Sequence, residues 1–383
     1  MRVVIAGGGI AGLTTAIVLT RRGIETSVFE SAAADRPQGS GLMVSANALE
    51  LFTRLGLYDA IRGAGREPQA MGVFSQTGRP VSVVDSRQWQ ERYGFRSIAL
   101  HREALHSVLS GALPGEIVQA NRRVVGFEQT RDRVTVRFDS GATEEADVLV
   151  GADGLHSAVR TALFGERQLR YSGQTSYRAI ADHVVEAGPY ADVLTEIWGH
   201  QGGQRFGFAR IDECRTYWFT TRRALVGERD DSPEAAHRRL SAEFERYPDE
   251  VRELLRRTEP ASLIRTDIQD FAPLARWHDG RVVLVGDAAH ATTPNLGQGA
   301  CQAIESGYVL ATELAQRTVQ DAFAKYQAVR WSRAELVTRM SWRFGKLVGM
   351  GGPLGRWLKF GLMPRLSTQR ALRQMDAIFK LPY

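Results

Sequence analysis

The sequence predicts an α/β fold in which a parallel sheet with helices carries an inserted unit of sheet and helix and ends in C-terminal helices. The first observation is the N-terminal order of a buried strand, Arg2–Ala6, a glycine-rich turn, a helix, Leu13–Arg22, and a second strand, Thr26–Glu30. That order is a βαβ unit. The second observation is a change between about 171 and 268, where short aromatic strands precede one helix. The change indicates an insertion of a different type.

The remaining apolar patterns divide the chain into three parts. One discontinuous unit takes 1–170 and 269–340, the insertion takes 171–268, and a basic helical tail takes 341–383. Periodicity and turn residues predict further elements: helices at 47–55, 102–113, 299–314 and 322–347, a helix opened by Ser232 and Pro233, a hairpin at 124–129 and 134–138, buried strands at 148–150 and 281–285, and inserted strands at 175–180, 193–198, 205–210 and 216–221.

Composition excludes several classes of protein. The chain of 383 residues has two cysteines, Cys214 and Cys301, which are too few for a disulfide scaffold or a four-thiolate metal site. We therefore expect a cytoplasmic protein. The eight histidines form no H-E-x-x-H pattern and no G-x-S-x-G is present, so neither a zinc site nor a serine hydrolase is expected.

The positive charge is concentrated at one end of the chain. The net charge is +6, and Trp342 to Tyr383 contains eight basic residues and one acidic residue. Because the excess lies in one tail, we expect no nucleic-acid partner. Trp357, Phe360 and Leu362 alternate with cations there. Such a tail either packs on its own domain, which we favour, or contacts a membrane surface.

The glycine-rich turn carries a nucleotide-binding pattern. Gly7, Gly9 and Gly12 form G-x-G-x-x-G between a strand and a helix. The first glycine permits the tight turn, the second lets the backbone approach a pyrophosphate, and the third allows close packing. Glu30, which ends the next strand, can accept hydrogen bonds from a ribose diol. The pattern predicts a dinucleotide site but does not distinguish FAD from NAD, and a purely structural turn is the alternative.

Two later motifs, taken with this one, identify a family. They are Gly151-Ala152-Asp153-Gly154, continuing to Arg160, and Gly286-Asp287-Ala288-Ala289-His290, followed by Pro294 and Gly297-Gln298-Gly299-Ala300. Over roughly residues 1–340 the chain resembles the flavin-dependent aromatic hydroxylases, which are similar in fold to p-hydroxybenzoate hydroxylase. Bacterial FAD-dependent urate hydroxylases are the nearest resemblance. It implies a Rossmann-like FAD-binding domain with an inserted substrate domain.

The resemblance also implies which residues surround bound FAD: Gly7, Gly9, Ile10, Ala11, Gly12, Glu30, Arg36, Gly41, Arg102, Asp153, Gly286, Asp287, Pro294, Gly297, Gln298, Gly299 and Ala300. Asp287 would bind ribityl or ribose hydroxyls, and Arg102 would pair with the pyrophosphate unless it is a solvated helix residue. For Asp153, ligand contact and local structure both remain open. His290 is interpreted as structural rather than as a base. The helix that begins near Gly299 would direct its positive end at the flavin and favour the anionic reduced form.

The implied reaction is a monooxygenation. NADH or NADPH would reduce FAD and would bind only transiently, because the sequence has no second G-x-G-x-x-G unit. O2 would then form a flavin C4a-hydroperoxide that inserts one oxygen atom into a small aromatic, heteroaromatic or alkene substrate. A flavoprotein reductase or dehydrogenase of the same fold without oxygen transfer is the alternative, and a nucleotide-binding regulator is a third interpretation. A monomer and a dimer both remain open.

Substrate contacts are predicted on the inserted strands. Arg205 and Tyr217 resemble substrate-binding positions of the urate hydroxylases, so urate is one candidate substrate. Tyr177 and Phe206 are added as candidates, followed by a further group: Arg178, Trp198 and Phe208. Alternate aromatic residues in a half-buried sheet are also typical of a core, so both interpretations stand for each residue.

Overall fold

The computed structural model describes residues 1–33, 40–200, 202–362 and 375–383. Arg36, predicted to contact the cofactor, lies outside the described residues. The strands are β1 (Arg2–Ala6), β2 (Glu25–Phe29), β3 (Gly41–Val44), β4 (Gly65–Arg66), β5 (Ala70–Ser75), β6 (Pro80–Asp85), β7 (Ile98–His101), β8 (Val118–Gln119), β9 (Val124–Gln129), β10 (Val134–Phe138), β11 (Thr143–Ala146), β12 (Val148–Gly151), β13 (Arg170–Ala181), β14 (Val193–Trp198), β15 (Arg205–Arg210), β16 (Thr216–Arg223), β17 (Ile264–Asp270), β18 (His278–Asp279) and β19 (Val282–Leu284).

The helices alternate with the strands in both halves of the chain. They are α1 (Ile10–Arg21), α2 (Ala46–Arg54), α3 (Tyr58–Gly63), α4 (Ser86–Tyr93), α5 (Arg102–Gly111), α6 (Ala158–Phe164), α7 (Pro233–Glu243), α8 (Asp249–Arg256), α9 (Asp287–His290), α10 (Gly299–Leu314), α11 (Val319–Val348) and α12 (Gly352–Arg356), followed by a π-helical segment, Trp357–Leu362. The predicted α/β class is confirmed.

A six-stranded sheet forms the first unit, in the order β18-β19-β12-β1-β2-β8. Strand β1 pairs in parallel with both β12 and β2, and β12 pairs in parallel with β19. These central strands are continuous apolar runs with buried side chains, as expected where helices cover both faces of a parallel sheet. Helices α1 and α10 contribute many side chains to the same core.

A seven-stranded sheet has the order β17-β13-β16-β15-β14-β5-β6. The four predicted inserted strands are observed as β13 to β16, and the predicted start of α7 is correct because the Ser232 hydroxyl accepts from the Ala235 N–H. Strands β5 and β6 come from 70–85, and β5 pairs in parallel with β14. The sheet therefore extends beyond the predicted insertion, and the division of the chain into domains stays a prediction.

Helix α1 begins at Ile10, three residues earlier than predicted. Gly9, in extended conformation, precedes the helix, so the predicted turn over Gly7–Gly12 is limited to its first three residues. The helix can begin this early because Gly12 has no Cβ: a Cβ there would lie 2.0 Å from the Gly7 carbonyl oxygen. The first helical turn can therefore pack directly on the strand end.

The tail packs against the rest of the protein where it is described. Helix α11 ends close to its predicted end, and Arg223 donates to the Gly349 carbonyl at 2.7 Å. Lys359 Nζ donates to the Gly199 carbonyl at 3.2 Å and is buried. Among the described residues, no helix combines the length and apolar character needed to cross a membrane.

Candidate cofactor and substrate site

The ends of four parallel strands place residues from distant motifs side by side. Gly7 follows β1, Glu30 follows β2, Asp153 comes two residues after β12, and Asp287 comes three residues after β19. Since β2, β1, β12 and β19 are neighbours in the sheet, all four residues lie along one carboxyl edge. Ligands of open parallel sheets bind at this edge, where the order of the strands reverses.

The three glycines of the turn have different surroundings. Gly7 has φ +109°, and a Cβ there would lie 2.4 Å from the Ala152 carbonyl oxygen. Packing against backbone therefore requires both Gly7 and Gly12. A Cβ on Gly9, in contrast, would meet no protein atom within 4 Å. Gly9 leaves open space at the start of α1, where neither a side-chain cap nor an acidic residue occupies the free N–H groups.

Glu30 is held against this turn by its backbone neighbours. One carboxylate oxygen accepts from the Gly8 N–H at 2.7 Å, and the other accepts from the Ala32 N–H at 2.7 Å. His106 Nε2 lies 3.0 Å from the Gly8 carbonyl oxygen on the other side. The carboxylate is thus oriented beside the open turn and retains lone pairs for further donors.

Asp287 lies deep in a concave surface. Its side chain is exposed, although it is surrounded by protein atoms that desolvate it. This burial raises the pKa of Asp287, and the positive charge of Arg102 opposes the rise. Gly286 before it has φ +59°, and a Cβ there would lie 2.7 Å from the Ala11 Cβ. The strand end therefore packs on α1 and directs an accessible carboxylate into the cleft.

Asp153 is committed to local structure. It accepts from the Ser157 hydroxyl at 2.5 Å and from the Val159 N–H at 3.1 Å, at the start of α6. Burial raises the pKa of its carboxyl, and these hydrogen bonds oppose the rise. Of the two interpretations left open by the sequence, the geometry favours the structural one.

The loop before α10 has an open backbone and a buried side chain. Cβ atoms on Gly297 and Gly299 would find their nearest neighbours at 3.7 Å and 3.9 Å, which is ordinary contact. No side chain caps the helix, and its first turn contains no acid. Gln298 turns inward and accepts from Asn47 Nδ2 at 3.1 Å, so only its backbone is available to a cofactor. Pro294 is exposed.

His290 has a structural environment, as the sequence interpretation expected. The ring is buried, and its Nε2 lies 2.7 Å from the Ser306 hydroxyl. Burial, aided by the charge of Arg330, lowers its pKa to about 3. The imidazole is therefore neutral near pH 7 and does not face the cleft.

The seven-stranded sheet has two faces with different environments. We call inner the face that carries Tyr217, because this ring packs against Gly41 of β3: a Cβ there would lie 2.2 Å from the Tyr217 Cγ. Strand pairing places further residues on this face: Met71, Val73, Arg178, Ile180, Leu194, Glu196, Trp198, Arg205 and Phe219. Most of them are partly exposed, which is the condition for contact with a ligand.

Tyr177 and Phe206 lie on the opposite face, inside the core beneath α7 and α8. Phe206 stacks on Trp218 at 5.2 Å between ring centroids, and the Tyr177 hydroxyl binds Asp230 and accepts from Arg239. Alternation along a strand explains the placement, because successive side chains point to opposite faces. Their placement corrects the expected substrate contacts, and neither is proposed as one.

Arg205 is buried and its donors are engaged within the protein. Nε donates to the Thr221 hydroxyl at 3.1 Å, one terminal nitrogen to Glu196 at 3.0 Å and the other to Asn295 at 2.6 Å. Asn295 lies in the loop before α10. The arginine therefore joins the inner face to that loop, which the urate-hydroxylase resemblance did not indicate.

Arg178 belongs to the further group of predicted substrate contacts. It is partly exposed on the inner face and close enough to Tyr217 for its charge to oppose the burial that raises the Tyr217 pKa. Among the described residues its guanidinium has one long hydrogen bond, 3.4 Å to the Ser176 hydroxyl. The sequence could have distinguished Arg178 from Tyr177, because neighbouring residues of a strand point to opposite faces of the sheet.

Comparison with known proteins identifies the family of this chain. Residues 1–341 match the model of the FAD binding domain family, and the chain belongs to it. The aurachin C monooxygenase/isomerase of Stigmatella aurantiaca is 38% identical, over 97% of this chain and 95% of that protein. The 2-heptyl-3-hydroxy-4(1H)-quinolone synthase of Pseudomonas aeruginosa (strain UCBPP-PA14) is 32% identical, over 97% and 96%.

A solved structure supports the resemblance to this family. Klebsiella pneumoniae HpxO, complexed with FAD and uric acid, has a TM-score of 0.92 and 27% identity, with 100% of this chain and 97% of that chain covered. The protein is an FAD-dependent monooxygenase, as predicted. The open backbone at Gly9, the oriented Glu30 and the uncapped starts of α1 and α10 fit an anionic dinucleotide.

Proposed function

We propose that this enzyme hydroxylates the ring of a small 4(1H)-quinolone that carries an apolar chain. NADH or NADPH is the electron donor typical of the family. It supplies two electrons, and one proton comes from solvent. One atom of O2 enters a ring C–H bond to give C–OH, and the other leaves as water. The observation that carries the proposal is the inner face, which combines apolar side chains with a partly exposed cation, Arg178.

The inner face can hold a planar ring with a hydrocarbon substituent. Tyr217 and Phe219 present two rings whose centroids lie 6.2 Å apart with an interplanar angle of 31°. Met71, Leu194 and Ile180 add partly exposed aliphatic surface nearby. Burying such surface against a hydrocarbon chain stabilises a complex in proportion to the area removed from water. A polar bicycle such as uric acid would not benefit from it.

Arg178 supplies the polar recognition. A guanidinium can donate to the C4 oxygen of a quinolone and favours its anionic, enolate form. The enolate places electron density on the adjacent ring carbon, which makes that carbon the better acceptor of an electrophilic oxygen atom. The protein then has to orient this carbon toward the cofactor and exclude water, so no triad of acid and base is required.

The cofactor would be held along the carboxyl edge of the parallel sheet. Glu30 would accept from a ribose diol, the start of α1 at Gly9 would bind the pyrophosphate with Arg102 nearby, and Asp287 would bind ribityl hydroxyls. The start of α10 would face the flavin ring. When bound there, FAD supplies the redox chemistry and the activation of O2.

The relatives support the substrate class. The two proteins with the higher sequence identity are named for aurachin C and for 2-heptyl-3-hydroxy-4(1H)-quinolone. The structural neighbour with uric acid has a lower identity, and its resemblance in the substrate region rests on Arg205 and Tyr217. Because Arg205 is engaged internally, that resemblance is no argument for urate here. Free Cys214 and Cys301 support a reducing, cytoplasmic location.

The test is a substrate panel with isotope labelling. The purified flavoprotein would be mixed with NADH or NADPH and with 2-heptyl-4(1H)-quinolone, 2-methyl-4(1H)-quinolone or uric acid, while oxidation of the nicotinamide and release of H2O2 are followed. We expect the heptyl compound to give a product that carries label from 18O2, and the methyl compound to need a higher concentration. Labelled product from uric acid alone would refute the quinolone assignment. Conversion of a quinolone without O2 would refute oxygen insertion.

A further inference from the structure

A buried ion cluster lies behind the loop that precedes α10. Glu305 and Arg330 have no exposed surface, and Arg333 is 8% exposed. Arg330 pairs with Glu305, and Arg333 donates to both of its oxygens, at 2.7 Å and 3.1 Å. Burial alone would raise the pKa of Glu305, but the two guanidiniums more than offset it and the pKa is lowered. The carboxylate is therefore ionised at neutral pH.

Two amide side chains connect this carboxylate to the loop. Asn47 Nδ2 donates to Glu305 at 2.5 Å and to the side-chain amide oxygen of Gln298, Oε1, at 3.1 Å. Gln302 Nε2 donates to Glu305 at 3.0 Å and reaches the same Gln298 oxygen at 3.4 Å. Gln298 lies between Gly297 and Gly299 and precedes α10. The orientation of the Gln298 side chain is thus determined by a buried charge seven residues further along the chain.

The segment 375–383 holds the cluster from the other side. Tyr383 donates its hydroxyl to Glu305 at 3.0 Å, and Arg333 donates to the carbonyls of Ala377 and Lys380 at 2.6 Å and 3.0 Å. Asp376 forms two hydrogen bonds with Arg92 of α4, at 2.7 Å and 2.6 Å. The segment therefore joins α4, α10 and α11.

Stability alone is a poor explanation for this arrangement. One carboxylate between two guanidiniums leaves a net positive charge in the interior, and apolar replacements of such clusters are often neutral or stabilising. In addition, Asn47 Oδ1 and Gln298 Nε2 are buried without a hydrogen-bond partner among the described residues. Leaving a buried amide atom without a hydrogen bond is destabilising.

We propose that Glu305 is a positioning residue for the flavin. Through Asn47 and Gln298 it fixes the backbone of the loop 294–299, and the segment 375–383 keeps the carboxylate in place through Tyr383. The inference rests on the proposed position of FAD beside that loop. It does not depend on the identity of the substrate.

The primary test compares two buried carboxylates. Glu305→Gln removes the negative charge of the cluster, whereas Asp270→Asn removes a buried carboxylate that pairs with Arg170 at 2.9 Å and has no described hydrogen bond to the loop. Hydrogen exchange of peptides spanning 292–300 would be measured in the apoprotein. We expect Glu305→Gln to accelerate exchange roughly tenfold there, as for loss of one hydrogen bond to a charged group. Asp270→Asn should leave these peptides unchanged.

Two milder variants keep the test decisive if Glu305→Gln does not fold. Tyr383→Phe removes one hydrogen bond of Glu305. Asn47→Ala removes the shorter of the two connections to Gln298 and leaves both guanidiniums paired. Both should accelerate exchange in 292–300, and the holoprotein should show a changed visible circular dichroism and midpoint potential of its FAD. Unchanged exchange in both variants, or faster exchange with an unaltered flavin signature, would overturn the proposal. Failure to oxidise any quinolone would overturn the proposed function and leave these measurements unaffected.

Discussion

Substitutions of Gly9, which precedes α1, and of Gly12, in its first turn, should separate effects on folding from effects on cofactor binding. In Gly12→Ala the new Cβ would lie 2.0 Å from the Gly7 carbonyl oxygen, about 1 Å closer than such contacts tolerate, and both sides are backbone. Helix α1 would have to move away from β1. Overpacking of this kind costs roughly 1–3 kcal/mol, and we expect the upper end because no flexible side chain can yield. The apoprotein should unfold at a clearly lower temperature.

Gly9→Ala should have the opposite profile. Its φ of −76° and ψ of −176° suit alanine, and the new Cβ meets no protein atom within 4 Å. The stability of the apoprotein should therefore change by less than about 0.5 kcal/mol. A methyl group there would nevertheless hold a pyrophosphate away from the N–H groups of α1. Loss of one or two hydrogen bonds to a charged ligand corresponds to roughly 10- to 100-fold weaker FAD binding.

The assay combines thermal unfolding of both apoproteins with titration by FAD, followed through quenching of flavin or tryptophan fluorescence. Wild-type affinity in Gly9→Ala would refute the placement of the pyrophosphate, whatever the result for Gly12→Ala. An apoprotein of Gly12→Ala as stable as wild type would refute the packing argument.

Three further outcomes follow from the placements described above. Arg178→Met should raise KM for the substrate about tenfold without changing FAD affinity. Arg210→Met removes bonds within a surface turn and should leave both constants unchanged. Equal KM values for Arg178→Met and the wild type would refute the role of Arg178. Phe206→Leu should lower stability by roughly 1–3 kcal/mol with unchanged KM, and a higher KM at wild-type stability would place Phe206 at the substrate. The pKa of His290 is lowered from 6.5 to about 3 in the folded protein, so as pH falls the unfolded chain binds the proton first. Its contribution to the free energy of unfolding is therefore complete above pH 6.5 and is lost as pH falls toward 3, by up to about 1.4 kcal/mol per pH unit. His290→Asn should flatten that pH dependence in urea titrations.

Local patterns predicted the residues that meet at the carboxyl edge of the parallel sheet, for a physical reason. A glycine-rich turn, a strand that ends in a carboxylate and a Gly-Asp pair after a strand each specify a short backbone conformation, and the parallel sheet then aligns the strand ends. Gly7, Glu30 and Asp287 therefore lie along one edge although they come from distant segments. The start of α1 was predicted three residues late, because the clash that Gly12 avoids involves Gly7 in space.

Features of the fold that depend on pairing between distant segments could not be predicted from the sequence. Strands β5 and β6 join the second sheet through the pairing of β5 with β14, in which Ala70 lies opposite Val193, and no local pattern encodes that neighbour. The buried cluster was missed because Glu305 in a helix is most often a solvated residue. A signal did exist: Cys301 and Val309, one turn before and after it, are both buried, so the same helix stripe carries an acid between apolar neighbours.

The inner face of the seven-stranded sheet shows why a shift of one position along a strand changes the environment of a side chain. On β15 the residues Arg205 and Gly207 face inward, while Phe206 and Phe208 pack beneath α7 and α8. Both faces are rich in aromatic residues, so alternation alone gives two equally apolar stripes. What distinguishes them is the amphipathic helix layer, which must cover one stripe completely and leaves the other to a ligand. Phe219 and Phe206 are therefore similar in the sequence and different in environment, because only the first remains partly exposed beside Arg178.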